Sequence, residues 1–277
     1  MNDQLREAQS DSLVPFLKWA GGKRWLPKTY SEHFPQSFAR YYEPFLGGGA
    51  VFLALRPQRG QLSDSNVELI NSYKAIKRDW RAVRTSLRSH ARAHSDEHYY
   101  AVRASTPKES VGRAARFLYL NRTCWNGLYR VNLKGTFNVP RGTKDAVILP
   151  TDDFAEISRR LRGIVLTCCD FEVALDGVAR NDFVYIDPPY TVKHNINGFL
   201  KYNEKIFSWE DQERLAKCIR RMASRGAKIL VSQADHSSVR DLYKGIGIQH
   251  TVIRSSVIAA ASDRRCLVSE LLIRINY

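Results

Sequence analysis

The stretch Arg40-Tyr41-Tyr42-Glu43-Pro44-Phe45-Leu46-Gly47-Gly48-Gly49 is where the fold is decided. Arg40 to Pro44 reads as a strand, and three consecutive glycines turn it into a tight loop. A short helix to Leu55 and a second strand, Gln61 to Ser63, complete a β-α-β unit, the element from which parallel sheets are built. Further strands are expected at Ile164 to Thr167, Phe183 to Ile186, Lys228 to Ser232, Gln249 to Arg254 and Leu267 to Ile275. Trp209 to Ser224 has the periodicity of an amphipathic helix. The expected class is α/β, with buried parallel strands joined by helices and an antiparallel edge contributed by the closing pair.

A basic, less regular segment separates these two parts. Helices are expected over Glu68 to Arg78, Trp80 to Arg92 and Ser110 to Leu120, followed by a turn-rich stretch from Asn121 to Gly142. Asn126-Gly127 and Lys134-Gly135 flank Leu128-Tyr129-Arg130-Val131, with Thr136-Phe137-Asn138-Val139 beyond, which argues for a β-hairpin. The chain therefore divides into a main domain of residues 1–66 and 145–277 and an inserted domain of residues 67–144.

At 277 residues and 44% apolar composition, the chain can bury a full core. Its N-terminal dozen residues are polar, and runs such as Val51 to Leu55 are too short to cross a bilayer, so a soluble, cytoplasmic protein with no membrane partner is expected. The five cysteines, Cys124, Cys168, Cys169, Cys218 and Cys266, form no C-x-x-C pair and lack a neighbouring histidine at ligand spacing, so reduced thiols and no metal are expected. An excess of 43 Lys and Arg over 28 Asp and Glu gives a charge of +15, which favours a polyanionic partner. Lys74, Lys77, Arg78, Arg81, Arg84, Arg88 and Arg92 recur every three or four residues. That spacing makes one basic stripe, either a phosphate-binding face or a solvated one.

The sharpest chemical signal is Val184-Tyr185-Ile186-Asp187-Pro188-Pro189-Tyr190, an apolar strand ending in a carboxylate, two prolines and a ring. The exocyclic amine of a nucleobase is a poor nucleophile because its lone pair is delocalised into the ring. A catalyst must accept hydrogen bonds from that amine as the nitrogen becomes more tetrahedral. Asp187 supplies one acceptor, and the Pro188 carbonyl in a proline-stiffened turn supplies another. Tyr190 can stack on the base. A strand that simply ends in a stiff turn is the plain alternative.

The glycine loop is not a dinucleotide fingerprint, since Phe52 stands where a third spaced glycine would be. With Asp64 closing the next strand to meet ribose hydroxyls, it suits a nucleoside without a pyrophosphate. Asp170-Phe171 offers a polar contact and a ring edge for an adenine, although such a pair after a strand is commonly a turn. In Phe16-Leu17-Lys18-Trp19-Ala20-Gly21-Gly22-Lys23, a lysine could meet a ligand carboxylate, or Trp19 could merely pack an N-terminal arm.

Taken together, these segments resemble the Dam-type DNA adenine methyltransferases, in the order cofactor motif, recognition insertion, catalytic loop. The resemblance runs from Phe16 to Leu272. It includes Phe117-Leu118-Tyr119-Leu120-Asn121-Arg122, Trp125-Asn126-Gly127-Leu128, Gly135-Thr136-Phe137-Asn138-Val139-Pro140 and Glu270-Leu271-Leu272. It implies a Rossmann-like class I methyltransferase sheet carrying an inserted helical and β-hairpin target-recognition domain. It implies S-adenosylmethionine as cofactor, held by Trp19, Lys23, Phe45, Gly47, Gly49, Asp64, Asp170 and Phe171, with Asp187, Pro188 and Tyr190 holding a flipped adenine. Double-stranded DNA would be read by Lys18, Asn126, Leu128, Arg130 and Pro140, with Trp125 as an inserted ring and GATC as the expected site. The enzyme is expected to work as a monomer, and its setting, housekeeping, phage or restriction-modification, stays open. Arg141, Thr143 and Ala259-Ala260-Ala261 depart from the family pattern, which bears on DNA contacts and not on catalysis.

A cytosine-amine methyltransferase would use the same nitrogen chemistry. A DNA-binding regulator on an inactive scaffold would be expected to carry a damaged catalytic loop, and here every member is intact.

Overall fold

The computed structural model describes residues 13–127, 129–132, 135–192, 207–255 and 267–277. Seven strands, β1 (Tyr41–Glu43), β2 (Gly60–Asp64), β3 (Ile164–Cys168), β4 (Phe183–Ile186), β5 (Lys228–Ala234), β6 (Ile248–Ser255) and β7 (Leu267–Ile275), form one sheet in the order β3-β2-β1-β4-β5-β7-β6. β2–β3, β1–β4 and β4–β5 pair in parallel, and β7 runs antiparallel to both β5 and β6. All seven fall where the sequence places strands, with ends shifted by a residue or two, and the closing pair makes the expected antiparallel edge. Among the described residues no helix is long and apolar enough to cross a membrane.

Packing groups the described residues of Met1–Tyr30 and Leu46–Cys168 into one compact unit, and Ser31–Phe45 with Cys169–Tyr277 into another. In the first, helices α1 (Leu26–Thr29), α2 (Ala50–Leu55), α3 (Val67–Arg92), α4 (Asp96–Ala104), α5 (Ser110–Thr123) and α6 (Phe154–Arg160) accompany β2 and β3. Asn66 caps α3 by accepting from the backbone N–H groups of Glu68 and Leu69, and Leu69, Ile70, Tyr73, Ile76, Val83 and Leu87 are its buried face.

The two helices expected on either side of Asp79 are one run with a break at that residue. Asp79 has φ −152° and its carboxylate accepts from Ala82 N at 3.0 Å, an N-cap placed inside a helix. Helices α4 and α6 are absent from the sequence reading, although each has a start signal. Ser95 caps the acidic first turn of α4, and Asp153 accepts from Glu156 N. Arg122, 3% exposed, fastens this unit from inside. It pairs with both oxygens of Asp152 at 2.7 Å and donates to the carbonyls of Phe16 and Val147.

In the second unit, α7 (Phe171–Leu175), α8 (Trp209–Ser224) and α9 (Ser237–Leu242) accompany β1 and β4 to β7. Strand β4 is buried at every position, as a central parallel strand must be. A capping box between Ser208 and Asp211 starts α8, and Leu215, Ile219 and Met222 on one face pack with Val184, Ile186, Ile229, Val231, Leu271 and Ile273. β1 and β4 are the adjacent parallel strands at which the strand order reverses. In open α/β sheets, ligands bind beyond the carboxyl ends of such strands, which here are Glu43 and Ile186.

Candidate active site and nucleic-acid interface

Asp187 follows directly from Ile186, so the carboxylate stands at the switch-point end of β4, half-buried. Pro188 is buried behind it, and Tyr190 is half-buried. The Tyr190 hydroxyl donates to Glu270 Oε2 at 2.8 Å and lies 3.0 Å from Ser232 Oγ. Burial, together with the negative charges of Asp187 and Glu270, holds the Tyr190 phenol well above its ordinary range, so it remains a neutral donor. Arg254 Nε bonds the other oxygen of Glu270, whose side chain is 2% exposed. The loop thus presents an acceptor and a ring whose far end is tied to β5 and β7. Ser232 and Arg254 carry no local sequence signal for this role. They meet Tyr190 and Glu270 through strand register.

The glycine loop is shaped by what covers it. Gly47 and Gly49 have φ of +47° and +62°, and a Cβ on Gly47 would lie 2.6 Å from the Trp19 ring and on Gly49 2.7 Å from the Tyr73 hydroxyl. The close approach is made by the protein's own aromatic side chains, so Trp19 does more than pack an arm: it roofs the loop. Asp64 braces the loop from below, with Oδ2 accepting from Gly47 N at 3.1 Å and Oδ1 from Asn66 N at 3.0 Å. Burial raises the Asp64 carboxyl above its usual range against the pull of these backbone bonds. Lys23 is buried after the Gly21-Gly22 turn, its ammonium 3.1 Å from the Gly21 carbonyl. Trp19, Lys23, Gly47, Gly49 and Asp64 therefore belong to one compact unit.

Phe45, Asp170 and Phe171 belong to the other unit and meet there. The Phe45 and Phe171 rings lie 5.6 Å apart, both packed on Phe207. Asp170 is the N-cap of α7 rather than a loose turn, accepting from Glu172 N at 2.9 Å. Arg214, to which the sequence reading gives no role, bonds the same oxygen of Asp170 at 3.0 Å and pairs with Glu172 and Asp211. Its guanidinium lies 4.8 Å from the Phe171 ring centroid. Two donors meet on Asp170 Oδ1 and fix the carboxylate. Arg214 lies on the strong helix α8, but its pairing with a segment more than forty residues earlier is a tertiary fact.

The described residues expected to read DNA belong to the first unit. Asn121 accepts from Lys18 N at 2.9 Å and donates to Lys18 O at 2.8 Å and to Gly127 O at 3.4 Å, binding the Lys18 segment to the Asn126-Gly127 turn. Asn126 and Gly127 both take positive φ, 56° and 66°, as an Asn-Gly turn requires. Lys18, Asn126, Arg130 and Pro140 are exposed, and Trp125 is 54% exposed, unusual for a tryptophan unless something covers it. Trp125 N donates to Pro140 O at 3.0 Å, so the exposed ring and the proline stand on paired segments.

Among the described residues of the expected hairpin, Val131 and Phe137 form a bridge and Asn132 N donates to Thr136 O at 2.9 Å, while Tyr129 packs on Phe117, Phe137 and Trp19. Arg141, one of the departures, is engaged within the protein. It pairs with Asp96 and with Asp145 at 2.5 Å, and Asp145 also meets His94. Leu128, Lys134, Ala259-Ala260-Ala261 and Cys266 lie outside the described residues.

A family model described as D12 class N6 adenine-specific DNA methyltransferase matches residues 19–256. The chain belongs to this family. A type II methyltransferase of Lactococcus lactis subsp. cremoris is 36% identical over 99% of both chains. A DNA adenine methylase of Haemophilus influenzae is 33% identical over 93% of this chain and 92% of that one. A DNA N-6-adenine-methyltransferase of Escherichia phage P1 is 33% identical over 92% of this chain but 34% of its own length. Membership makes this D12-class chain an adenine-specific DNA methyltransferase, which disposes of the cytosine rival, and it implies DNA as substrate.

Proposed function

We propose that this enzyme methylates the 6-amino group of adenine within GATC in double-stranded DNA, using S-adenosylmethionine and working as a cytoplasmic monomer. The observation that carries the catalytic part is the place of Asp187, directly after a fully buried strand at the reversal of the strand order, with Tyr190 held beside it. S-adenosylmethionine supplies a methyl group already activated on a sulfonium. Asp187 and the Pro188 carbonyl accept the two amine hydrogens of a flipped adenine and so favour rehybridisation of its nitrogen. Tyr190 stacks on the base.

For the cofactor, Asp64 suits ribose hydroxyls, Lys23 a carboxylate, and Asp170 Oδ2 with Phe171 and Phe45 an adenine. Trp19, Gly47 and Gly49 form the backbone surface it would meet. The residues fit this group, since a braced carboxylate, a buried lysine and a clustered aromatic pair match its diol, its amino-acid tail and its base.

Residues 67–144 act as the target-recognition domain, with the main domain in residues 1–66 and 145–277. Lys18, Asn126, Leu128, Arg130 and Pro140 read base edges, and Trp125 fills the gap left by the flipped base. The exposure of Trp125, Asn126, Arg130 and Pro140 supports this reading. Long-read detection of modified bases in DNA from cells expressing the chain tests it directly. N6-methyladenine confined to GATC is expected, and efficient methylation of adenines outside GATC overturns the site assignment.

A further inference from the structure

Tyr190 is a ring whose hydroxyl the proposed chemistry does not use, yet that hydroxyl enters the best-built polar cluster of the second unit. It donates to Glu270 Oε2 at 2.8 Å, lies 3.0 Å from Ser232 Oγ, and through Glu270 connects to Arg254. Ser232 is fully buried and Glu270 is 1% exposed, so these groups sit where an unpaired polar atom is costly and a paired one is held firmly. The four residues come from the catalytic loop, β5, β6 and β7. The β-ladders bring three of them together, with Glu270 opposite Ala234 on one side and Val252 on the other. A bond between a neutral phenol and a carboxylate already engaged by a guanidinium is charge-assisted and directional. It therefore fixes the position of the far end of the tyrosine ring and the distance of the loop from the sheet.

We propose that Glu270 is a positioning residue for methyl transfer: held by Arg254, it anchors the far end of the Tyr190 ring through its hydroxyl, where the ring stacks on the flipped adenine. This rests on the proposed role of Tyr190 in holding the base. A ring whose far end is free to shift would still supply apolar surface for binding, so the loss should appear in the methyl-transfer step more than in DNA affinity.

The test is a double-mutant cycle on the full-length enzyme with Tyr190→Phe, Glu270→Gln and both together. Rates come from single-turnover methylation of unmethylated plasmid DNA, and base placement from the fluorescence of 2-aminopurine substituted for the target adenine. Tyr190→Phe keeps the stacking ring and deletes the bond, and about a 10-fold slower transfer is expected, the order of one hydrogen bond to a charged group. Glu270→Gln should slow transfer comparably, with the same change in 2-aminopurine signal. The double variant should be no slower than either single one, because both remove the same contact.

Effects that multiply, or a Glu270→Gln enzyme that loses melting temperature but keeps its transfer rate and fluorescence, overturn the proposal. Should Glu270→Gln fail to fold, Tyr190→Phe and Ser232→Ala decide instead, and wild-type transfer by Tyr190→Phe rejects it. Tyr190→Ala separates the two claims: full activity there removes the base-holding role itself, whereas a large loss with an indifferent Tyr190→Phe removes only the positioning role.

Discussion

At the scale of single residues, one carboxylate and one guanidinium carry distinct tasks. In the proposed mechanism Asp187 matters most as the amine rehybridises, since its hydrogen bond strengthens when the nitrogen gains positive character. Asp187→Ala should reduce single-turnover methylation by orders of magnitude, while cofactor affinity measured by calorimetry stays within a few fold. Near-normal methylation would reject the mechanism. Arg130 is exposed, and in the proposed recognition role it meets guanine O6 and N7, a contact that discriminates by about 1–3 kcal/mol. Arg130→Ala should relax choice at one base pair in a duplex series, whereas Trp125→Ala should leave base choice intact and impair flipping read by 2-aminopurine. A shared defect in both variants would mean that one residue performs both tasks. Arg141, by contrast, is engaged in pairs with Asp96 and Asp145.

Among the elements, the C-terminal half of α3 is the most one-sided. Residues 80–92 contain no acid, Arg81, Arg84, Arg88 and Arg92 are all exposed, and Asp79, the nearest carboxylate, is spent capping the helix. Such a face suits phosphates better than a merely solvated surface, which usually interleaves both signs. Replacing Arg81, Arg84 and Arg88 by Ala should weaken binding to all duplexes alike and flatten the plot of log affinity against log salt by about one unit per lost contact. An unchanged slope returns the stripe to solvent.

The same helix ends in a histidine pair. His90 lies 3.1 Å from His98 across α3 and α4 and stacks on Tyr119, and burial with the charge of His98 lowers its pKa to about 4. The unfolded chain, near 6.5, binds the proton more readily. Stability from this group is therefore full above 6.5 and lost as pH falls toward 4. His90→Leu should flatten the fall in melting temperature over that window, and an unaltered fall would place the acid sensitivity elsewhere.

For the whole molecule, the proposed cofactor should act as any ligand of the native state does. S-adenosylmethionine should raise the melting temperature with concentration, and NAD should not. Equal shifts from both, or none from the former up to millimolar levels, would count against the cofactor reading.

Periodicity and turn chemistry determined the elements: each strand and the helix Trp209–Ser224 were legible because burial on a parallel sheet demands apolar runs, and glycine loops demand glycine. The candidate site was legible wherever its chemistry is local, as in Asp187-Pro188-Pro189-Tyr190 and Gly47-Gly48-Gly49. What only the tertiary structure decided is which distant groups hold those motifs in place. Trp19 and Tyr73 fill the space over the glycines, Arg214 grips Asp170, and Glu270 with Ser232 seizes the Tyr190 hydroxyl. Each partner lies more than twenty residues away along the chain. A polar side chain carries no periodic signal of the strand register or helix packing that will bring it to its partner, so these contacts exist only once the sheet is assembled.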